Sequence, residues 1–154
     1  MRMRSIFLLP LIPAVAGIFT ADQEYVNPTG TYVLKGEIRN SRIVGHYGEL
    51  RARLIDSNTV ALAFYLNKGY PGYESGAFLD TLRYDDNRAV FRPRADSSCA
   101  FYFSFDPHAV EVDKGSSDPN SGCGFSLGVI IPAILQKTSS DVPVIQDLSD
   151  HGKS

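Results

Sequence analysis

Two carboxylates, Glu74 and Asp80, are the residues of this 154-residue chain whose type and position best suit acid–base chemistry. Glycoside hydrolysis needs only two such groups. Asp80 shares one face of a predicted strand with Phe78 and Leu82, and a carboxylate on an apolar face must find partners or shift its pKa. We therefore predict that Asp80 is a structural buried acid that accepts bonds from backbone N–H groups or an arginine. A hydrolase that uses Asp80 or Glu74 is kept as an alternative.

The remaining residues with catalytic or ligating chemistry are scattered. His46 precedes a predicted strand, His108 lies in a predicted turn, and His151 lies in the C-terminal tail. No GxSxG, HxH or HExxH pattern occurs, and no glycine-rich loop leads from a strand into a helix. The sequence therefore predicts no catalytic residue, no metal site, no cofactor and no enzymatic activity.

The stretch NKGYPGYESGAFLD, residues 67–80, differs from its alternating surroundings. Its glycines permit positive φ angles and close backbone approach, and its tyrosines offer large, rigid, amphipathic surfaces that are common at interfaces. We predict a binding loop on a rigid scaffold. Its members are Tyr70, Pro71, Gly72, Tyr73, Glu74 and Ser75. In the alternative interpretation, both tyrosines fold back and plug one end of the molecule.

Alternation of apolar and polar residues predicts the elements that position this loop. The predicted strands cover residues 30–38, 47–55, 59–67, 77–84, 88–92, 99–105, 109–113 and 126–137, with Pro132 at a bulge, an edge or a break. The outer face of residues 59–67 is itself apolar, so we expect it to be partly covered. About eight short strands without an amphipathic helix predict an all-β antiparallel meander that forms a small barrel or sandwich. A barrel of this size fills its interior or holds one small ligand.

The N-terminus has the three parts of a secretory signal peptide. A basic start is followed by an apolar run over residues 6–13 and by Ala14-Val15-Ala16. We predict a signal peptide over residues 1–16, with Ala21 as the latest cleavage point, then one domain over 22–138 and a partly disordered tail over 139–154. The alternatives are a membrane anchor or a buried first strand. The short run with two prolines disfavours a spanning helix, so we expect no stable membrane span after cleavage.

Charge and cysteines limit the partners and the compartment. Cleavage after Ala16 would leave 13 basic and 17 acidic residues and change the formal charge from −2 to −4. This mild acidity disfavours nucleic acid and would tolerate a basic partner. Cys99 and Cys123 favour a disulfide in an exported chain, worth roughly 3 kcal/mol in the entropic treatment. The alternative is two free thiols or half of a zinc site. The absence of a CxxC spacing disfavours zinc. We expect a periplasmic or extracellular location.

Three short motifs resemble segments of known exported proteins. They are SGCGFSLGV at residues 121–129, GTY at the first predicted strand, and SSC before the aromatic strand. These segments resemble the β-barrel domains of bacterial lysozyme-inhibitor-like proteins, and residues 30–138 are similar to uncharacterised secreted proteins with a KGYPGYESG-like loop. The resemblance implies a disulfide-bonded barrel outside the cytoplasm that binds rather than catalyses. The inhibitors often have additional cysteines in the first half, and this chain has none there.

These observations lead us to expect a secreted, non-enzymatic binding module whose partner is another exported protein, such as lysozyme or another cell-wall hydrolase. That function requires Tyr70 and Tyr73 to be exposed. A small-ligand-binding β-barrel would instead require an open interior cavity, which the phenylalanine-rich strands disfavour. A hydrolase would require a cleft where a carboxylate meets a histidine or a second carboxylate.

Overall fold

A computed structural model describes residues 24–118, 120–126, 128–129 and 132–149, so the predicted signal peptide lies outside the described residues. Ten strands follow one another: β1 (Gly30–Leu34), β2 (Glu37–Arg39), β3 (Arg42–Val44), β4 (Tyr47–Asp56), β5 (Thr59–Asn67), β6 (Ser75–Asp85), β7 (Arg88–Phe91), β8 (Cys99–Phe105), β9 (Ala109–Ser116) and β10 (Ala133–Ser139). Eight form a closed antiparallel barrel, in the order β1-β10-β9-β8-β7-β6-β5-β4. Strands β2 and β3 form a separate hairpin. The predicted all-β barrel with one disulfide is confirmed.

The meander gives the barrel two different ends. From β4 to β10 each strand pairs antiparallel with the next one, and β1 closes the barrel between β10 and β4. Successive connections therefore alternate between the ends. We call one end the loop end; it carries the β2–β3 hairpin and the connections 68–74, 92–98 and 117–132. The opposite end, here the turn end, carries the short turns after β4, β6 and β8 and the segment 24–29 that enters β1.

Large apolar side chains fill the barrel interior. The Phe64 ring lies at the centre, with its centroid 5.6 Å from those of Phe78 and Phe103 and 6.2 Å from that of Phe125. Fully buried side chains from six strands surround it: Tyr32, Leu50, Leu62, Leu66, Phe101, Val110 and Leu135. This packing fills the centre of the barrel with side chains, as the phenylalanine-rich strands predict.

The β9–β10 connection differs from its prediction as a strand over 126–137. Gly128 has a φ of 77°, and the Val129 amide donates to the Ser126 carbonyl at 3.1 Å, which turns the chain. Strand β10 begins only after Pro132, so this proline marks a break. Phe125 and Val129 enter the core from this connection and close the loop end. The predicted Cys99–Cys123 disulfide ties the same connection to the start of β8.

The outer face of β5 is covered, as its apolar sequence predicts. Ala63 and Tyr65 are 0% and 4% exposed, and they pack against the buried side chain of Leu148. The Arg51 guanidinium also donates to the Val144 carbonyl at 3.3 Å. Within the tail that we predicted to be partly disordered, the segment after β10 packs along the barrel as far as Leu148. Residues 150–154 lie outside the described residues.

Replacing both cysteines by serine should lower the free energy of unfolding by roughly 3 kcal/mol. The disulfide closes a loop with a sequence separation of 24 residues, and removing it restores chain entropy to the unfolded state. Urea unfolding followed by tyrosine fluorescence would measure the change, with the parent protein under reducing conditions as the matched comparison. An unchanged midpoint and slope would show that strand pairing alone retains the β9–β10 connection.

Candidate functional site

The predicted binding loop joins β5 to β6 at the loop end and projects both tyrosines into solvent. Tyr70 and Tyr73 are 42% and 40% exposed. Their rings meet edge to face, with centroids 6.4 Å apart. Pro71, Gly72, Glu74 and Ser75 are also exposed in the same segment. The alternative in which the tyrosines plug the barrel is therefore wrong, because Phe125 and Val129 fill that position.

A buried asparagine holds the loop from beneath. Asn67, the last residue of β5, is 3% exposed, and its Oδ1 accepts a hydrogen bond from the Gly69 amide at 2.7 Å. Its Nδ2 donates to the Tyr73 carbonyl at 2.9 Å and to the Tyr65 hydroxyl at 3.0 Å. One side chain thus satisfies backbone groups at both ends of the loop, which fixes its conformation relative to the barrel.

The two ends of the loop are also joined directly. The Lys68 amide donates to the Glu74 carbonyl at 3.0 Å, and the Lys68 ammonium pairs with the Glu74 carboxylate at 2.7 Å. The hydrogen bond from Lys68 lowers the pKa of Glu74 below its ordinary value of 4.5. This partly exposed pair contributes little stability, but it sets a fixed charge pattern beside the tyrosines.

Tyr73 adopts a backbone conformation that large side chains rarely take. Its φ is 53°, in the left-handed region where an aromatic residue is an outlier. The Tyr73 amide donates to the Gly69 carbonyl at 2.9 Å, and its own carbonyl accepts from Asn67. Strained residues persist when surrounding contacts hold them, and they cluster at functional sites. In this conformation the Tyr73 ring is exposed.

The β2–β3 hairpin, which we did not predict from the sequence, contacts the loop from the side. The Tyr70 amide donates to the Ile43 carbonyl at 2.8 Å, and the Arg42 guanidinium lies 4.5 Å from the Tyr70 ring centroid. Gly69, with a φ of 73°, is required here because a Cβ would also clash with the Gly45 carbonyl. The signal for the hairpin was Asn40-Ser41, an asparagine-led two-residue turn in which both residues have positive φ.

The hairpin extends the exposed surface around the tyrosines. Ile38, in β2, is 77% exposed, and the Arg42 cation lies over the Tyr70 ring. A cation–π contact at an exposed site is worth about 0.5–1 kcal/mol and restricts the ring. We name the surface formed by Arg42, Tyr70, Tyr73 and the Lys68–Glu74 pair the aromatic loop site.

A second layer connects the loop site to the C-terminal segment. The Tyr65 ring, which accepts from Asn67 through its hydroxyl, lies 6.3 Å from the Tyr47 ring. Burial, together with hydrogen bonding to Tyr65, raises the pKa of Tyr47 to about 12, so the Tyr47 hydroxyl is neutral at physiological pH. Leu148 packs against the same cluster. The C-terminal segment therefore packs against Tyr65, the side chain whose hydroxyl accepts a hydrogen bond from Asn67.

Asp80 does not lie in the core, and the prediction of a structural buried acid is wrong. Its side chain is exposed, and Oδ1 accepts from the Thr81 amide at 2.8 Å. Strand β6 pairs with β5 from Ser75 to Arg83 but pairs with β7 only at Tyr84 and Asp85. Strands β6 and β7 therefore have no backbone pairing beside Asp80, and a position that alternation directs inward is exposed.

The other residues considered for acid–base chemistry have separate structural surroundings. Glu74 pairs with Lys68, and Asp80 binds the backbone of Thr81. His46 contacts the Gly128 carbonyl at 2.9 Å through Nε2, and His108 is exposed in the β8–β9 turn. His151 lies outside the described residues. Within the described ranges, His, Cys, Asp and Glu side chains form no group of three that could hold a metal ion.

The fold and the site together define a class: a small disulfide-bonded β-barrel that presents a rigid aromatic loop. Comparison of the chain with known protein families, with curated proteins and with solved structures finds no match in any of the three. The resemblance to lysozyme-inhibitor-like proteins therefore rests on short motifs. Of the described residues, none belongs to a helix long and apolar enough to cross a membrane.

The variant Asn67→Ala should destabilise the protein by roughly 1–3 kcal/mol and loosen the loop, because it leaves buried polar groups without partners. Urea unfolding would measure the first effect, and hydrogen exchange at the Gly69 and Tyr73 amides would measure the second. Asn120→Ala, at an exposed position in the β9–β10 connection, is the matched control. Equal stability and exchange in both variants would mean that other contacts hold the loop.

Acidification should separate Lys68 from Glu74 only below the ordinary glutamate pKa. Because the folded-state pKa of Glu74 is lowered, the pair is intact above that pKa and is lost as the pH falls through it. An NMR titration of the Glu74 carboxyl would measure this pKa in the parent and in Lys68→Met, where it should return towards 4.5. The exposed control Lys35→Met should leave it lowered; equal values in all three proteins would contradict the ion pair.

Proposed function

We propose that this protein is an exported, non-enzymatic binding module that recognises another exported protein through the aromatic loop site. The observation that carries the proposal is the exposure of Tyr70 and Tyr73 on a loop held by Asn67. A loop that is already ordered loses little conformational entropy on binding, so more of the contact energy remains as affinity. The disulfide is consistent with an oxidising compartment.

The composition of the site supports a protein partner. Tyrosine and arginine, together with tryptophan, are enriched at binding hot spots, and Tyr70 lies against both Tyr73 and Arg42. The exposed Lys68–Glu74 pair lies at the rim, where charges contribute to orientation and specificity more than to affinity. An aromatic centre with a polar rim is the usual arrangement of a protein–protein interface.

The partner class to examine first is a cell-wall hydrolase such as a lysozyme. This finer proposal is supported by the resemblance of the SGCGFSLGV, GTY and SSC segments to lysozyme-inhibitor-like proteins. On this proposal, the tyrosines occupy a groove of the hydrolase and block access of the cell-wall substrate.

The double variant Tyr70→Ala/Tyr73→Ala should lose inhibition, with at least about 30-fold weaker binding, because removing one hot spot costs about 2 kcal/mol. The experiment is a titration of oxidised protein against a panel of lysozymes, following lysis of cell-wall substrate and measuring affinity by biolayer interferometry. Tyr102→Ala is the matched control, since Tyr102 is also 42% exposed but lies on the barrel wall in β8.

The outcomes separate the two levels of the proposal: recognition of an exported protein through the aromatic loop site, and a lysozyme as that partner. Saturable inhibition by the parent and by Tyr102→Ala, lost in the double variant, would support both levels. No inhibition at large molar excess would exclude the lysozymes tested as partners of this protein. Exported proteins captured equally by the parent and by the double variant would contradict recognition through the aromatic loop site.

A further inference from the structure

A second surface with binding chemistry lies at the turn end, opposite the aromatic loop site. A cavity of about 480 Å³ is present there between the segment that enters β1, the β8–β9 turn and β10. Its walls include the apolar faces of Tyr25, Val26, Phe105 and Pro107, and Lys137 of β10 contributes a cation. The volume lies within the range of small-molecule sites, which are mostly apolar with a few polar groups.

Buried hydrogen bonds hold the segment that forms one wall. Asn87, which is 3% exposed, accepts from the Val26 amide at 2.8 Å and donates to the Glu24 carbonyl at 2.7 Å. The Tyr84 hydroxyl donates to the Val26 carbonyl at 2.6 Å. Because these partners belong to the barrel, the wall is positioned before any ligand arrives, which lowers the entropic cost of binding.

Lys137 gives this cavity a positively charged group. It lies at an inward-facing position of β10, with its ammonium 5.4 Å from the Tyr32 ring centroid. Gly30 leaves room for the lysine stem, since a Cβ there would lie 2.7 Å from Lys137 Cε. The ion pairs between described residues do not include Lys137, and burial lowers its pKa. A partly desolvated cation that forms no ion pair with a described carboxylate can take an anionic ligand as its direct partner.

Two acidic residues in the lining limit which anion fits. Both Glu24 and Asp106 line the cavity. Asp106 Oδ1 accepts hydrogen bonds from the His108 and Ala109 amides, each at 2.7 Å, so this carboxylate oxygen is already hydrogen-bonded within the β8–β9 turn. The negative charges of Glu24 and Asp106 oppose any anionic group that does not contact Lys137 directly. One anionic group on the ligand can bind the Lys137 ammonium, and a second one is disfavoured.

We propose that this cavity binds a small organic monocarboxylate, with the carboxylate on the Lys137 ammonium and an apolar or aromatic remainder against Tyr25, Val26 and Phe105. The charge-assisted contact selects the anion, and the apolar walls supply burial. The site is independent of the aromatic loop site, because the two lie at opposite ends of the barrel.

The test is an NMR titration of the oxidised ¹⁵N-labelled protein with 3-phenylpropionate, its neutral amide 3-phenylpropanamide, and a dicarboxylate of similar size, adipate. We expect saturable shifts at the turn end with the monocarboxylate, and at least about tenfold weaker binding of the other two. Lys137→Met should weaken 3-phenylpropionate binding about tenfold or more and abolish the preference for acid over amide. The control Lys35→Met should retain both.

A second variant keeps the result interpretable if Lys137→Met disturbs β10. Tyr25→Ala shortens a wall residue that is 56% exposed, so it should weaken the acid and the amide alike and leave the preference intact. The proposal is overturned if no saturable shift occurs up to tens of millimolar, if acid and amide bind equally, or if the shifts lie at the loop end.

Discussion

The structure depends on filling the interior of an eight-stranded barrel with aromatic side chains. A barrel of this size is just wide enough for side chains to occupy its centre, and Phe64 lies there in contact with Phe78, Phe103 and Phe125. Each fully buried phenylalanine contributes about 1.5–3 kcal/mol relative to exposure. These contacts join β5, β6 and β8 with the β9–β10 connection.

The way the interior is filled determines what the loop end can display. Phe125 reaches the core because Gly76 has no Cβ to obstruct its ring, and the disulfide at Cys123 anchors the connection that carries it. With the end closed by Phe125, the tyrosines of the β5–β6 loop are not needed for packing. They are therefore free to face solvent on a loop whose conformation is set by Asn67.

Two buried asparagines perform equivalent tasks at the two ends. Asn67 satisfies the backbone of the aromatic loop, and Asn87 satisfies the backbone of the segment that enters β1. In both places a side-chain amide substitutes for the strand pairing that irregular backbone lacks, so the segment is ordered without belonging to the sheet. The barrel thus supports two surfaces of different chemistry, an exposed aromatic loop and a cavity with a lysine cation.

The sequence by itself determined most of the barrel strands, the alternation that fills the core and the disulfide, because period-two patterns and paired cysteines are local or compositional signals. It also located the loop of Tyr70 and Tyr73. Only the tertiary structure decided that these rings face solvent, since that depends on Phe125 arriving from 52 positions along the chain beyond Tyr73 to close the same end. It also decided that Asp80 is exposed, because strand alternation assigns a face but cannot show that β7 ends its pairing with β6 at Tyr84.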